Sequence, residues 1–147
     1  MEEATLSECL PTVAEYIDLR AKMGWGRIDE ETAHGTIQAA VFTVCLLRQE
    51  QLAGIARVMG DGAIYFFLAD LIVAPQFRGR GYGDRLMHAV TSYFDRSARP
   101  GASITLVPLN GQEPFYEKFG FVRCPNGPFG TAMHYAAAPP PTEQSSQ

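Results

Sequence analysis

Apolar positions along this chain recur with two periods, and the changes between them mark out its elements. Thr12-Val13-Ala14-Glu15, just after Pro11, has the spacing of a helix-capping box. Val13 and Ile17, joined by Tyr16 and Arg20, then recur at helical spacing and predict a helix to about Lys22, ended by Gly24-Trp25-Gly26. Asp29 is placed to cap a second helix running to about Ala39. Residues 40–47 are apolar and β-branched and predict a strand; Arg48-Gln49-Glu50-Gln51 is a hairpin turn and residues 52–58 the return strand. After the Gly60-Asp61-Gly62 turn, residues 63–74 have so few polar positions that they read as a central strand covered on both faces. From Gly83 to about Ala98, the residues Leu86, Ala89, Val90, Tyr93 and Phe94 form one apolar stripe. Residues 103–107 predict a strand, 113–119 a short helix, and 121–123 and 131–136 two further strands.

That order gives an α/β fold with a mixed, mostly antiparallel sheet flanked by helices. Residues 1–137 are expected to form one domain and the Pro- and Ser-rich residues 138–147 a disordered tail. With 147 residues, 46% of them hydrophobic, the chain suits one domain with a substantial core. The formal charge of −4 argues against a general nucleic-acid binder. No apolar run reaches the length of a membrane span, and the acidic start lacks a signal core, so a cytoplasmic protein is expected. Cys9, Cys45 and Cys124 are odd in number and scattered, which reads as reduced thiols rather than disulfides or a zinc site.

The segment from Leu71 to Met87 carries chemistry. An apolar run breaks at Pro75, passes through Arg78-Gly79-Arg80-Gly81-Tyr82-Gly83-Asp84 and opens into the amphipathic helix. Such a turn aims successive backbone N–H groups, at the positive end of a helix dipole, toward an anion. Gly79, Gly81 and Gly83 remove Cβ interference, and Arg78 and Arg80 add charge, so a diphosphate-bearing cofactor is expected. The glycines do not fall in the dinucleotide order Gly-x-Gly-x-x-Gly, and the Gly-Lys-Ser/Thr of a P-loop is absent. What does match is Arg-x-x-Gly-x-Gly at Arg78, Gly81 and Gly83, preceded by Val73-x-Pro75. This resembles the acyl-CoA signature of the GNAT superfamily of N-acetyltransferases. Phe115-Tyr116-Glu117-Lys118-Phe119-Gly120-Phe121 resembles the segment that closes the GNAT site, and the resemblance covers roughly residues 12–136.

The resemblance implies splayed central strands and direct acetyl transfer from acetyl-CoA to an amine, borne by a small molecule or a peptide. It implies a pantetheine arm paired with Leu71, Ile72 and Val73, a thioester carbonyl at the N–H near Val73, and a pyrophosphate on the amides of Arg78 through Asp84. For this the central strand and residues 103–107 must part beyond Val73. Asp84, near the helix start, suits capping better than phosphate contact. Tyr116 stands where many GNAT enzymes keep a tyrosine that protonates the departing thiolate. The asparagine that often precedes it by seven positions is replaced by Leu109, with Asn110 offset by one.

An alkyl amine with a pKa near ~10 must lose a proton before it attacks. Asp70, the lone acid of the central strand, reads as that base or an amine anchor, or equally as a structural acid bonded to a neighbouring loop. Ala69-Asp70-Leu71-Ile72-Val73 resembles a segment of glucosamine-6-phosphate acetyltransferases, with Ala69 in place of a glutamate; the glutamate base of other members is replaced by Phe67. Trp25, Arg57, Asp61 and Phe67, with Tyr65, Phe66 and the 124–133 loop, are expected to line the acceptor pocket. Gly24-Trp25, the Gly60-Asp61-Gly62 turn and the Gly-Pro-rich late loop together resemble a bacterial GNAT subgroup. His34, His88 and His134 are dispersed, and no metal site is expected. An amino-sugar acetyltransferase and a non-catalytic acyl-CoA-binding module are the alternatives. No nucleic-acid or membrane partner is expected, and a homodimer is left open.

Overall fold

The computed structural model describes residues 3–135, which fall into two compact units, 3–106 and 107–135. The expected tail and the last residue of the expected strand 131–136 lie outside the described residues.

In the first unit the capping box forms as its spacing requires. The Thr12 backbone N–H donates to the Glu15 carboxylate at 2.8 Å, and Glu15 N–H donates to Thr12 Oγ1 at 3.1 Å. Helix α1 (Val13–Lys22) follows, and α2 (Glu30–Ala39) begins where Asp29 Oδ1 accepts from the Thr32 N–H at 2.7 Å. Strands β2 (Phe42–Arg48), β3 (Gln51–Gly60) and β4 (Tyr65–Val73) form an antiparallel meander. Helix α3 (Tyr82–Ser97) crosses over to β5 (Ser103–Leu106), which runs parallel to β4. An edge strand β1 (Thr5–Ser7) pairs antiparallel with β2, giving the order β1-β2-β3-β4-β5. The mixed, mostly antiparallel sheet is therefore as expected, with β1 as an addition.

Side chains alternate between the two sheet faces. On one face Cys45, Ile55 and Ile72 pack with Tyr16, Ile17 and Leu19 of α1 and Ala33 and Ile37 of α2. On the other, Phe42 stacks on Tyr93 of α3 at 4.4 Å between centroids, and Phe66 meets Tyr93 and Phe94 edge-on at 5.8 and 5.7 Å.

The second unit holds one short helix, α4 (Glu113–Glu117), opened by Glu113 Oε1 accepting from the Gly111 N–H. The ring of Phe115 lies 5.4 Å from that of Phe119, and Arg123 bonds Glu117 at 2.9 Å. The strands expected at 121–123 and 131–135 are not formed among the described residues. Val122 in the first segment and Met133 and Tyr135 in the second are exposed, so neither segment buries an alternating face, and Pro125 and Pro128 between them lack the N–H that would carry a ladder on. An isolated bridge between Asn126 and Phe129 is what forms instead.

Candidate active site

The pairing of β4 changes at two places, and together they shape the site. The first is where β5 ends. Tyr65 to Leu68 pair with Ser103 to Leu106, and among the described residues no strand pairs with residues 69–73 on that side. The strands thus part after Leu68, earlier than the expected point beyond Val73. Backbone alternation then decides which groups face the open side. The Ala74 N–H donates to the Ala53 carbonyl at 2.8 Å, and the Ile72 oxygen lies against Gly54, so residues 72 and 74 are turned toward β3. The N–H groups of Leu71 and Val73 accordingly face the open edge. Ile72 gives that edge nothing: its backbone serves β3 and its side chain is buried in the core.

The second change is a bulge. Val58 pairs with Leu68 but Arg57 pairs with Asp70, so Ala69 has no partner of its own on β3. Before it, Phe66 and Leu68 face α3. In unbroken alternation Asp70 would follow them. The extra residue flips Asp70 and Ile72 onto the face of α1 and α2.

There Asp70 meets two groups. Its Oδ2 accepts from the Tyr16 hydroxyl at 2.6 Å and from Arg57 Nη1 at 2.5 Å, and Arg57 Nη1 also donates to the Tyr16 oxygen at 2.9 Å. Arg57 and Asp70 are 2% and 5% exposed. Arg57 Nη2 reaches the Thr36 carbonyl and, at 3.1 Å, the Thr36 hydroxyl. That carbonyl is among the last four of α2, which have no donor within the helix, so a sheet cation closes the helix C-terminus. Burial, and then the Asp70 charge, push the Tyr16 phenol up to about 12, so it remains a donor at any physiological pH.

Beside this group the same face opens into a shallow pocket of about 240 Å³, lined by Met59, Gly60, Tyr65, Phe66, Phe67, Ser103 and Thr105. Phe67 is 39% exposed, and Met59, which pairs with it, takes Arg57 Nη2 on its sulfur at 3.5 Å. Of the residues expected to line the acceptor pocket, Tyr65, Phe66 and Phe67 do so. Arg57 is sealed beneath the face, bonded to Asp70. Asp61 shapes the β3–β4 turn: its Oδ1 accepts from the N–H groups of Ala63, Ile64 and Tyr65 at 2.8–3.0 Å, and these bonds hold its carboxyl below the usual range. Trp25 follows α1, packs against the α1–α2 core and lies 5.5 Å from the Arg20 guanidinium.

Beyond β4, Pro75–Phe77 form a single 3-10 turn, and Gly79 and Gly81 take positive φ of 78° and 79°. Gly81 is the N-cap of α3, and a Cβ at either glycine would meet nothing within 4 Å. The first N–H groups of α3, at Tyr82, Gly83 and Asp84, have no acceptor within the helix. An anion fits here: the cradle is open, left-handed and at a helix N-terminus. Arg78 lies back over the turn, with Nε 3.4 Å from the Val73 oxygen and Nη2 3.1 Å from the Met23 sulfur, while Arg80 is exposed. The Tyr82 side chain is buried 6.4 Å from the Phe77 ring. In the second unit Tyr116 is half-buried on α4, and burial raises its phenol pKa.

Sequence reasoning did not single out Tyr16, Thr36 or Met59 as site residues. Tyr16 could be read as a helix-face residue, and no one-dimensional signal links it to a strand 54 positions on.

Among the described residues no helix is long and apolar enough to cross a membrane, and no group of three or more metal-ligating side chains is present. A sequence model described as an acetyltransferase (GNAT) domain matches residues 15–132. The chain is similar to the uncharacterized N-acetyltransferase ycf52 of Pyropia yezoensis, 29% identical over 117 residues, covering 77% of this chain and 66% of that protein. Its counterpart in Porphyra purpurea is 30% identical over 77 residues, covering 52% of this chain and 43% of that one. The chain thus spans less than two thirds of the length of either relative. A protein of unknown function from Staphylococcus aureus superposes with a TM-score of 0.79 at 27% identity, covering 90% of this chain and all of that one. Arabidopsis thaliana Naa50, solved with a bisubstrate analogue of CoA and a peptide, shares the fold at a TM-score of 0.64 and 22% identity, covering 80% of this chain and 82% of that one. With a family match that runs from α1 through the glycine turn and past α4, the chain belongs to the GNAT family of acetyltransferases.

Proposed function

We propose that the protein is an acyl-CoA-dependent N-acetyltransferase that passes an acetyl group to a primary amine by direct attack, with residues 1–137 acting as one domain. The observation that carries this reading is the parting of β4 from β5 after Leu68, directly ahead of the left-handed Gly79 and Gly81 turn. One edge offers the N–H groups of Leu71 and Val73 to a peptide-like arm, and the turn that follows offers those of Tyr82, Gly83 and Asp84 to a diphosphate. Acetyl-CoA, when bound, supplies a thioester activated for attack. The Val73 N–H is a fixed donor for charge that develops on a carbonyl oxygen. Tyr116 holds a proton at its hydroxyl through the neutral range, as a donor to a departing thiolate must. Arg57 and Asp70 are engaged with each other and, among the described residues, the pocket lining carries no carboxylate, so the amine gives its proton to water.

The acceptor is a small molecule or peptide terminus that seats on Tyr65, Phe67 and Met59. Among the described residues the pocket lining holds no cation for a phosphate, which counts against the amino-sugar alternative. Three free cysteines suit a reducing compartment such as the cytoplasm.

The test is a panel of primary amines, including N-terminal peptides, incubated with acetyl-CoA and read by release of free thiol. Turnover with at least one amine is expected. Acetyl-CoA binding with no thiol release from any amine would leave a binding module instead.

A further inference from the structure

We propose that Tyr16 and Arg57 are positioning residues: through Asp70 they lock the register of β4 at the Ala69 bulge and so keep the Leu71 and Val73 N–H groups on the open edge. This rests on the acyl-CoA reading of that edge.

The argument starts from parity. Side chains and backbone groups along a strand both alternate with period 2. A strand that gained or lost one residue at the bulge would therefore exchange both at once. Without the bulge, Asp70 would pair with Ala56 in place of Leu71 and turn to the α3 face. That face is packed with Leu86, Val90, Tyr93 and Phe94, and a carboxylate buried there unpaired is strongly disfavoured. The same slip would turn the Leu71 and Val73 N–H groups onto β3 and leave the Ile72 N–H on the open edge. Apolar packing alone discriminates weakly between the registers, since Leu71, Ile72 and Val73 are near-equivalent in either. The buried charge does discriminate, because the Tyr16 hydroxyl and the Arg57 guanidinium meet it on the face of α1 and α2.

That partner is held from three directions. Tyr16 comes from α1 and Arg57 from β3, and Arg57 is itself fixed by the Thr36 carbonyl and hydroxyl at the end of α2. Specifying register is the best-attested use of a buried ionic group, whose net contribution to stability is often small. The raised Tyr16 pKa means this donor is not lost on titration near neutrality.

The test is Tyr16→Phe, which removes one hydroxyl and leaves the ring. Amide hydrogen exchange by NMR on the ligand-free protein reads the register directly. In the wild type the Ile72 N–H, inside the β3 ladder, should exchange at least roughly tenfold more slowly than those of Leu71 and Val73. In Tyr16→Phe this contrast should shrink. Calorimetry with CoA and with 3′-phosphoadenosine 5′-diphosphate reads the consequence. The variant should bind CoA roughly tenfold more weakly, the scale of one buried charge-assisted hydrogen bond, and the nucleotide fragment unchanged. Thr36→Val, which frees Arg57 Nη2 from one acceptor, should move both readouts in the same direction by less, and it serves if Tyr16→Phe does not fold. A lower melting temperature with an unchanged exchange contrast and unchanged CoA affinity overturns the proposal, since the group would then be structural only. A wild type that binds CoA no more tightly than the nucleotide fragment removes the edge reading itself, whatever the exchange contrast shows.

Discussion

The Arg57–Asp70 pair makes a quantitative prediction that needs no ligand. Arg57→Met leaves the Asp70 carboxylate at 5% exposure with only the Tyr16 hydroxyl beside it, and Asp70→Leu leaves a guanidinium at 2% exposure. Removing one partner of a buried pair costs ~3–5 kcal/mol, because the other charge remains desolvated. Arg57→Met also leaves the Thr36 carbonyl without its donor, at about 1 kcal/mol more. Against a total stability of ~5–15 kcal/mol, either single variant is severely weakened. The double variant removes both charges and keeps volume, and its main remaining costs are the unpaired Tyr16 hydroxyl and the Thr36 carbonyl, together about 2–3 kcal/mol. It should therefore be more stable than either single variant, with a coupling energy of at least ~3 kcal/mol. Urea denaturation followed by Trp25 fluorescence measures all four proteins, and a constant m-value checks that the cycle is two-state. Additive single effects, or a loss below about 1 kcal/mol for Arg57→Met, would refute the reasoning, since the pair would then be hydrated or unformed. Register and stability should also separate: the double variant is expected to fold and yet bind CoA weakly.

Tyr116→Phe should retain acetyl-CoA affinity and lose roughly 10²-fold in turnover with a good amine. Because burial raises the phenol pKa, the proton-bearing form persists upward, and the alkaline limb of the wild-type rate profile should lie above pH ~10 and vanish in the variant. An unchanged turnover number makes Tyr116 a packing residue. Gly81→Glu places a Cβ at φ +79°, straining the backbone by ~1–2 kcal/mol, but that Cβ has nothing within 4 Å, so the protein should fold. By calorimetry its CoA affinity should fall at least ~10-fold, the effect of ~1.4 kcal/mol; full affinity in the folded variant moves the diphosphate elsewhere. Asp61→Ala should lower the melting temperature near neutral pH. The Asp61 carboxyl is depressed in the folded state, so its stabilisation is present above the unfolded value of about 4 and disappears as pH falls through the lower folded one. The gap between the wild type and Asp61→Ala should close over that acid range in pH-resolved melts, and a gap constant with pH would show that what Asp61 contributes does not depend on its charge.

Most of the first unit was legible because local and global signals agree there. Thr12 with Glu15, Asp29 with Thr32, and the apolar stripe of Leu86, Val90, Tyr93 and Phe94 each fix an element within a few residues of itself. Strand β1 escaped notice because three residues give no measurable period, and its pairing with Cys45, Leu46 and Leu47 lies some forty positions away. Residues 121–123 and 131–135 show the opposite error. Their composition suits strands, but a strand exists only where a ladder partner and a buried face do, and composition reports neither.

The site divides along the same line. The conformation of the glycine turn was readable because it resides in the backbone: positive φ at Gly79 and Gly81 is something glycine announces. Asp70 was conspicuous too, as the one acid in an apolar strand, but its two readings could not be separated. The face it occupies depends on a single unpaired residue, Ala69, and nothing in the composition of a strand marks a bulge. Counting by twos from Phe66 puts Asp70 with Leu68 against α3. Only the register against β3 reveals that the count is broken, and with it why Arg57 lies beneath the pocket instead of lining it. Tyr16, Thr36, Arg57 and Asp70 come from α1, α2, β3 and β4. Tyr16 and Thr36 read as ordinary where they stand, and the four become a site because one extra residue turns the Asp70 carboxylate toward the others.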